Sequence, residues 1–295
     1  MLDSNLTLAV IVPHYDDLQA LDRCLTSLTE QSIRTFEIVV ADNASPQGEA
    51  VVSAVVAGRA RMIVVAEKGA GPARNGGVAA SRADVLAFID SDCVADRDWL
   101  AEGLNALRHW DFVGGHVKVL VDRPGRPTPT EAFETVFAFD FETYIKRKGF
   151  TGSGNLFCPR ALFDAVGGFR AGVSEDVDWC RRATAMGYRL GYAPEAIVGH
   201  PARRTWPELW SKTARVNAET YGLIRGRPGA KLKWLLRCLA WPASALVHAP
   251  RVLFSRRLCG ARQRVSAMAV LFKMRIWRGA DGLRLLANDK SVAPR

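Results

Sequence analysis

Short apolar runs alternate with helical patterns along the first half of the chain. The runs that predict buried strands are Leu8–Val12, Phe36–Ala41, Met62–Ala66 and Val85–Ile89. Helices are predicted between and after them, at Leu18–Leu28, Ala70–Arg82 and Trp99–Leu107. Strands and helices that alternate in this way favour an α/β fold with a mostly parallel sheet and helices on both of its faces.

The second half of the chain is patterned differently. Segment 130–148 contains four aromatic residues spaced to share one helical face, namely Phe133, Phe137, Phe141 and Tyr144. We interpret this face as core packing, with an aromatic wall beside a binding site as the alternative. Further on, Val173–Met186 predicts a helix capped by Ser174, and residues 188–192 and 196–198 predict short strands.

Composition and charge narrow the class of protein. A chain of 295 residues that is 48% hydrophobic can form one large domain, or a domain with an appendage. The early residues are acidic and indicate no signal peptide, and six scattered cysteines without a Cys-x-x-Cys pair favour reduced thiols in the cytoplasm. Residues 203–295 hold 20 of the 40 lysines and arginines but only 4 of the 30 acidic residues, which indicates a tail that meets an anionic surface.

The most informative chemistry follows the fourth predicted strand. Val85–Ile89 ends in Asp90-Ser91-Asp92, two carboxylates one residue apart. Ligands of open α/β sheets bind beyond the carboxyl ends of the strands, and two such acids suit a hard divalent cation that also holds phosphates. The alternative is a polar turn in which one aspartate caps the next helix.

A glycine-rich turn after the third strand matches a dinucleotide-binding fingerprint only in part. Gly69 and Gly71 match the first two glycines of the fingerprint, but Arg74 occupies the position of the third glycine. This difference argues against a nicotinamide or flavin site. We predict instead that Gly69–Gly77 supplies backbone amides near a bound diphosphate, with the charge of Arg74 added to them.

The motifs gain specificity from their order along the chain. That order is Pro13-His14-Tyr15, Asp42-Asn43-Ala44-Ser45, Lys68-Gly69, Arg74-Asn75, Asp90-Ser91-Asp92, Gly152–Asn155 and Glu175-Asp176. In this order they resemble the motifs of a family 2 glycosyltransferase, over about residues 6–225. The resemblance implies the Rossmann-like A-type nucleotide-sugar fold. It further implies a catalytic domain over residues 1–225, and the charge and apolar pattern of residues 226–295 predict a basic, amphipathic helical region after it.

The activity that the resemblance implies is inverting, metal-dependent transfer of a sugar from a nucleoside-diphosphate sugar to an acceptor hydroxyl. Nucleotide-sugar binding falls to Pro13, Tyr15, Asp42, Lys68, Arg74, Asp90, Gly154 and Asn155. Among these, Asp42 would contact the base and Asp90 would lie near the ribose. Asp92 would bind Mn²⁺ or Mg²⁺, and His200 either completes the metal shell or is a structural histidine.

The resemblance also implies an acid pair for catalysis. Asp176 would be the base that takes the proton of the acceptor hydroxyl, with Glu175 in support. The alternative is that these two acids only favour a helix N-terminus. Trp179 either stacks on an acceptor sugar or packs inside the helix. Processive synthases of the family carry a Gln-x-x-Arg-Trp motif that this chain lacks, so addition of a single sugar is favoured.

Two other functions remain open from the sequence. A nucleotidyltransferase also uses acids and a metal, but it usually needs a glycine-rich loop after the first strand, where this chain has His14–Asp17. A catalytically silent sugar-nucleotide binder or membrane scaffold would be expected to lack Asp92 or the acid pair, and this chain has both.

The basic tail predicts contact with a membrane surface. Segments 234–254 and 265–277 are apolar but interrupted by arginine, lysine and proline, so we predict interfacial helices on an anionic cytoplasmic leaflet. Trp234, Trp241 and Trp277 would then lie at the depth of the headgroups. The alternative is a helical cap that packs on the body. Peripheral or monotopic attachment at the cytoplasmic face suits a lipid-linked or cell-envelope glycan acceptor, and no nucleic-acid-binding motif is present.

Overall fold

The structure is a computed structural model that describes residues 7–289. Its contacts define two compact units. The first comprises the chain up to Lys118 together with Phe139–Ala171 and Glu175–His200, and the second comprises Val119–Ala138, Gly172–Ser174 and the chain from Pro201 onward. The predicted boundary after residue 225 falls inside the second unit, because the helices at Pro129–Phe137 and Trp206–Gly222 pack against the last helix of the chain.

A mixed sheet of eight strands organises the first unit. Its strands are β1 (Leu8–His14), β2 (Glu37–Asp42), β3 (Arg61–Val64), β4 (Val85–Ile89), β5 (Val94–Ala95), β6 (Phe112–Leu120), β7 (Asn155–Pro159) and β8 (Leu190–Pro201). They lie in the order β3-β2-β1-β4-β7-β6-β8-β5. β1 pairs in parallel with β2 and β4, and β2 with β3, whereas β7 is antiparallel to both β4 and β6.

The helices are α1 (Leu18–Thr29), α2 (Glu49–Val56), α3 (Ala70–Ala80), α4 (Trp99–Ala106), α5 (Pro129–Phe137), α6 (Phe141–Thr143), α7 (Arg160–Val166), α8 (Glu175–Ala185), α9 (Trp206–Gly222), α10 (Ala230–Leu253) and α11 (Gly260–Ala287). α6 continues into a π-helical turn at Tyr144–Lys148. The predicted alternation of strands and helices in the first half is therefore confirmed.

Strand β1 shows why helices cover both faces of the sheet. Its residues alternate between two apolar clusters, so that Val10 packs with Leu21 of α1 and Ile11 packs with Val78 of α3 on the opposite face. α3 approaches the sheet closely, since a Cβ atom added at Gly77 would lie 2.6 Å from Ile11 Cγ2. A strand buried on both faces must be apolar along its whole length, which explains the uninterrupted run that predicts it.

The prediction that four aromatic residues share one helical face is wrong. α5 ends at Phe137, and Phe139 has a left-handed backbone (φ +54°), which breaks the helical path before Phe141. Phe133 and Phe137 pack in a cluster of the second unit, whereas Phe141 and Tyr144 belong to the core of the first. The structure also differs from the two short strands predicted at residues 188–192 and 196–198, because they form a single strand, β8.

Asn155, which is predicted to bind the nucleotide sugar, has a structural role at the start of β7. Its side chain is fully buried at the start of β7. The amide nitrogen donates to the carbonyl oxygens of His116 (3.0 Å) and Ala196 (2.9 Å), and the amide oxygen accepts from the indole of Trp99 (2.9 Å). These bonds join α4, β6 and β8, and they use both N–H groups of the amide.

The second unit is built around α10 and α11. Trp234 is fully buried, its indole N–H donates to the Gly282 carbonyl (2.9 Å), and Trp241 is buried beside it. These two tryptophans hold the helices together, so the prediction that they lie among lipid headgroups is wrong. Trp277 is half-buried and packs edge-on against Trp210. Within residues 7–289, no helix combines the length and the apolar character that crossing a bilayer requires.

Candidate active site

Two aspartates directly after β4 form the centre of the candidate site. The side chains of Asp90 and Asp92 are 33% and 37% exposed, so both carboxylates can be reached from solvent. The position of Asp90 is fixed by a hydrogen bond from the guanidinium of Arg74 and by close contact with Gly154. The site therefore lies at the carboxyl end of a central strand, as the sequence predicts.

Arg74 joins Asp90 to the acid pair. It projects from α3, its side chain is only 4% exposed, and its second terminal nitrogen donates to Glu175 Oε1 at 3.1 Å. Burial alone would lower the pKa of Arg74, but the charges of Asp90 and Glu175 outweigh it and raise this pKa above its ordinary value. The guanidinium is therefore a permanent cation between two carboxylates.

The acid pair occupies the first turn of α8. Glu175 is engaged by Arg74, whereas Asp176 Oδ1 accepts the backbone N–H of Val177 at 2.7 Å. The charge of Asp176 also contributes to the raised pKa of Arg74, so the two side chains lie within electrostatic range. Glu175 is thus bonded to the same guanidinium that holds Asp90, and Asp176 follows it in the first turn of α8.

His200, at the end of β8, lies beside Asp92. Its Nε2 atom is 3.3 Å from Asp92 Oδ2, and its side chain is 8% exposed. The ring of Phe139 packs on the imidazole with a centroid distance of 4.3 Å. Phe139 therefore limits how the imidazole can turn, and its left-handed backbone (φ +54°) is of the kind that tends to persist at functional sites. Nothing in the sequence singles out Phe139, because no sequence pattern predicts a left-handed backbone at a residue other than glycine or asparagine.

The residues around Asp92 fit a divalent metal. One ligand atom from each of Asp90, Asp92, Cys93 and His200 lies within 4.8 Å of the others. Carboxylate oxygens suit Mg²⁺ and Mn²⁺, and an imidazole nitrogen suits Mn²⁺ and later transition metals. Asp90 and Asp92 are thus the residues that would hold the metal, with His200 within reach.

A second group of polar residues lies at the carboxyl ends of β1 and β2. The Asp42 carboxylate is buried, and its oxygens accept from His14 Nδ1 (2.8 Å), the Ser45 hydroxyl and the Ser45 backbone N–H (3.0 Å). These three bonds leave acceptor capacity on the carboxylate, which can accept about four hydrogen bonds, so burial is what a contact between Asp42 and a base would have to overcome. His14, which the sequence did not single out, shares this network.

Asn43 fixes the glycine-rich turn. Its amide nitrogen donates to the carbonyl oxygens of Val65 and Glu67, and its amide oxygen accepts the backbone N–H of Gly69 at 2.7 Å. The start of α3, and hence Arg74, is therefore set by the residue after β2. A hydrogen-bonding residue after a strand was visible in the sequence, but its partners were not.

The remaining predicted ligand residues differ in their access to solvent. Pro13 is buried in β1 opposite Ala41 of β2, Tyr15 is 55% exposed just beyond the strand, and Lys68 is exposed before α3. Of the three, only Tyr15 and Lys68 present their side chains to solvent.

Trp179 does not face the site, and the prediction that it stacks on an acceptor sugar is wrong. It is fully buried, its indole donates to the Gly167 carbonyl (3.0 Å), and its ring contacts Phe112, Phe163 and Phe169. The alternative of packing beneath the helix is the correct one.

Gly154 provides a test of how tightly Asp90 must be placed. A Cβ atom at this position would lie 2.4 Å from Asp90 Oδ2, so Gly154→Ala must turn Asp90 away from Arg74. We expect the rate of any reaction at this site to fall about 10-fold to 100-fold, the size of effect that a displacement near 1 Å produces. The steady-state rate of that reaction is the measurement, and Ser153→Ala in the same loop is the matched control. Wild-type rates in Gly154→Ala would contradict the role of Gly154.

Comparison with known proteins adds independent findings. The sequence model of the family described as Glycosyl transferase family 2 matches residues 9–178. The chain is 30% identical to Glycosyltransferase AglE of Haloferax volcanii, over 70% of this chain and 71% of that protein. It is also 30% identical to the Pre-mycofactocin glycosyltransferase of Mycobacterium tuberculosis, over 88% of this chain but 58% of that protein.

Solved structures agree on the fold. The mannosyltransferase PcManGT from Pyrobaculum calidifontis, determined in complex with GDP-Man and Mn²⁺, superposes with a TM-score of 0.62 and 18% sequence identity, over 96% of this chain and 88% of that one. TarS of S. aureus superposes with a TM-score of 0.51, over 95% of this chain and 54% of that one. The predicted A-type fold is thereby confirmed.

Proposed function

Because the chain belongs to glycosyl transferase family 2, we propose that it transfers a single sugar from a nucleoside-diphosphate sugar to an acceptor hydroxyl, with inversion at the anomeric carbon. One observation carries the proposal: Asp90, Asp92 and His200 cluster at the end of β4, beside an arginine that also pairs with Glu175 of the acid pair. The GDP-Man and Mn²⁺ bound by the mannosyltransferase of similar fold support a donor and a metal of these kinds.

Each residue would have a defined task in this reaction. When bound, Mn²⁺ or Mg²⁺ neutralises charge on the leaving diphosphate. Asp92 holds the metal, and Asp90 is kept in place by Arg74 for the donor. Asp176 takes the proton from the acceptor hydroxyl while the oxygen attacks the anomeric carbon and the diphosphate departs. A single displacement of this kind inverts the anomeric configuration and needs no covalent enzyme intermediate.

A donor screen tests the function directly. Purified protein is incubated with UDP-, GDP- and dTDP-sugars in the presence of Mn²⁺ or Mg²⁺, and thermal stability and release of the nucleoside diphosphate are measured. We expect one donor base to raise the melting temperature, and Asp92→Ala to abolish that increase while leaving the melting temperature without ligands nearly unchanged. Absence of stabilisation by every donor with either metal would contradict the proposed metal-dependent use of these donors, and would favour a scaffold or a donor outside the screen.

We further propose that the second unit lies on an anionic membrane at the cytoplasmic face, where a lipid-linked or cell-envelope glycan would be the acceptor. α10 is apolar on two sides: one side packs on α11, and the other exposes a stripe of leucine and valine at positions 232, 236, 239, 246 and 247. Lys231, Lys233 and Arg251, on the same helix, are exposed as well. Exposed apolar and cationic side chains on one helix are typical of interfacial membrane helices.

Vesicle flotation tests the membrane proposal. We expect the wild-type chain to float with vesicles that contain phosphatidylglycerol, and Leu239→Glu/Leu246→Glu to reduce the bound fraction about tenfold, because two apolar side chains lose their burial in lipid. Val51→Glu, on α2 of the first unit, replaces an apolar residue that is 44% exposed, against 60% for Leu239 and 67% for Leu246, and should float normally. Wild-type protein that remains in the soluble fraction at physiological salt would contradict membrane attachment.

A further inference from the structure

Cys93 completes the group of ligand atoms around Asp92. It follows the aspartate directly and is 1% exposed, and its Sγ atom lies 3.9 Å from Asp92 Oδ1. The sulfur belongs to the set in which single atoms of Asp90, Asp92, Cys93 and His200 all lie within 4.8 Å of one another. The cluster therefore combines carboxylate oxygen, imidazole nitrogen and thiol sulfur.

The dimensions of this cluster are close to those of a single coordinated ion. Four ligands around a tetrahedral ion with bonds of about 2.0–2.3 Å lie roughly 3.3–3.8 Å from one another. The four ligand atoms here lie within 4.8 Å of one another, so closing on one ion requires shifts of about 1 Å, which side-chain rotation can supply.

We propose that Cys93 is a sulfur ligand of the metal at this site and makes the site selective for thiophilic ions such as Zn²⁺ and Co²⁺ over Mg²⁺. The inference rests on the proposed function, because it concerns the same metal site. When the sulfur–metal bond forms, the thiol proton is released to solvent, and no electrons are transferred. Sulfur and nitrogen ligands favour late transition metals, whereas Mg²⁺ requires oxygen.

The choice of ion has a consequence for activity. Zn²⁺ in a closed protein site takes four ligands, which the four residues of this cluster can supply. A zinc ion held in that way leaves no position for a diphosphate, whereas an octahedral Mn²⁺ ion retains open positions. We therefore expect Zn²⁺ to inhibit transfer that Mn²⁺ supports, and Cys93→Ser to relieve this inhibition.

Cobalt spectroscopy detects the sulfur bond without measuring activity. The full-length protein is titrated with Co²⁺, and the near-ultraviolet charge-transfer band that a thiolate–cobalt bond produces is recorded. Competition with Zn²⁺ and Mg²⁺ then gives their relative affinities. We expect the band in the wild-type protein and its loss in Cys93→Ser. We also expect Zn²⁺ affinity to fall at least about 10-fold in this variant, the smallest loss typical even of residues outside the first coordination shell.

Cys24→Ser is the matched control. Cys24 is also fully buried and its Sγ lies 3.7 Å from the Asp90 carbonyl oxygen, but it does not belong to the ligand cluster. The variant should keep the band and the Zn²⁺ affinity. Cys93→Ala is tested beside Cys93→Ser, and both are compared with the wild type by circular dichroism, so that loss of the band is separated from loss of the fold.

The outcomes separate the two proposals. Co²⁺ that binds with Asp92-dependent d–d absorption but without the charge-transfer band would overturn the role of Cys93 and leave the metal-dependent function standing. Failure of the wild-type protein to bind Co²⁺ or Zn²⁺ would overturn the role of Cys93, and failure to bind Mg²⁺ and Mn²⁺ as well would overturn both proposals. A band that survives in Cys93→Ser and disappears in Cys24→Ser would show that Cys24 is the sulfur ligand, and would overturn the proposal for Cys93.

Discussion

Asp176→Asn is expected to lower the rate of sugar transfer about 100-fold to 10,000-fold, the usual contribution of general base catalysis. The amide cannot take the proton of the acceptor hydroxyl, but it retains the size of the carboxylate and can still accept the Val177 backbone N–H. Donor affinity should therefore change little, because the substitution leaves the Arg74–Glu175 ion pair in place. Single-turnover transfer and donor titration, measured on the same preparation, separate the two effects.

Asp178→Asn provides the comparison for this variant. Asp178 lies on the same helix, where its carboxylate pairs with Arg182 at 2.9 Å. The same chemical change at that position should affect stability modestly and leave the transfer rate within a few-fold of wild type. Transfer that survives in Asp176→Asn and is lost in Asp178→Asn would move the base to the other carboxylate.

The first half of the fold could be predicted because its strands are buried on both faces. A strand such as Val85–Ile89 must then be apolar at every position, and its bounds in the structure are those of the apolar run. β6 and β7 escaped prediction for the opposite reason. β7 begins at the polar residue Asn155, and β6 contains Gly114 and Gly115, where an added Cβ would collide with Thr151 and with the Ala196 carbonyl. Close packing of the backbone selects these residues, and the periodicity of apolar residues along the chain does not reveal such packing.

The sequence identified many residues of the candidate site, but it was less informative about the role of each residue. Asp90, Asp92, Glu175 and Arg74 carry formal charge in a recognisable order, and the structure brings them together. Asn155 and Trp179 have the same chemical types as ligand-binding residues, yet both are buried. The amide of Asn155 joins strands, and the indole of Trp179 packs among phenylalanine rings. Burial depends on contacts between residues far apart in sequence, so residue type alone could not separate these cases.

Cys93 and Phe139 show a second limit of the sequence. In the sequence, Cys93 is only one of six scattered cysteines. Its sulfur comes close to His200 because β5 pairs with β8 in antiparallel orientation. Phe139 read as one aromatic residue among several, and only its backbone conformation aims its ring at His200. In both cases the contact joins segments that are about 60 or more residues apart, which neither spacing nor composition encodes.

Arg74→Met is expected to cost about 2–3 kcal/mol of folding stability and to reduce sugar transfer severely. Removing one partner of a buried ion pair typically costs about 3–5 kcal/mol, and partial exposure of Asp90 (33%) and Glu175 (20%) lowers the figure, because water solvates the carboxylates left behind. Transfer falls for a separate reason: Asp90 loses the hydrogen bond that fixes its carboxylate. Urea unfolding and steady-state rates give the two quantities.

A double variant shows whether the lost stability comes from uncompensated charge. In Arg74→Met/Glu175→Gln one of the two stranded carboxylates is neutral, so about 1 kcal/mol of stability should return while transfer stays low. Arg59→Met breaks an exposed ion pair with Asp22 (25% and 58% exposed) and should cost no more than about 1 kcal/mol with normal transfer. If Arg74→Met is as stable and as active as Arg59→Met, the guanidinium does not organise the site, and Asp90 must be held by its contact with Gly154 alone.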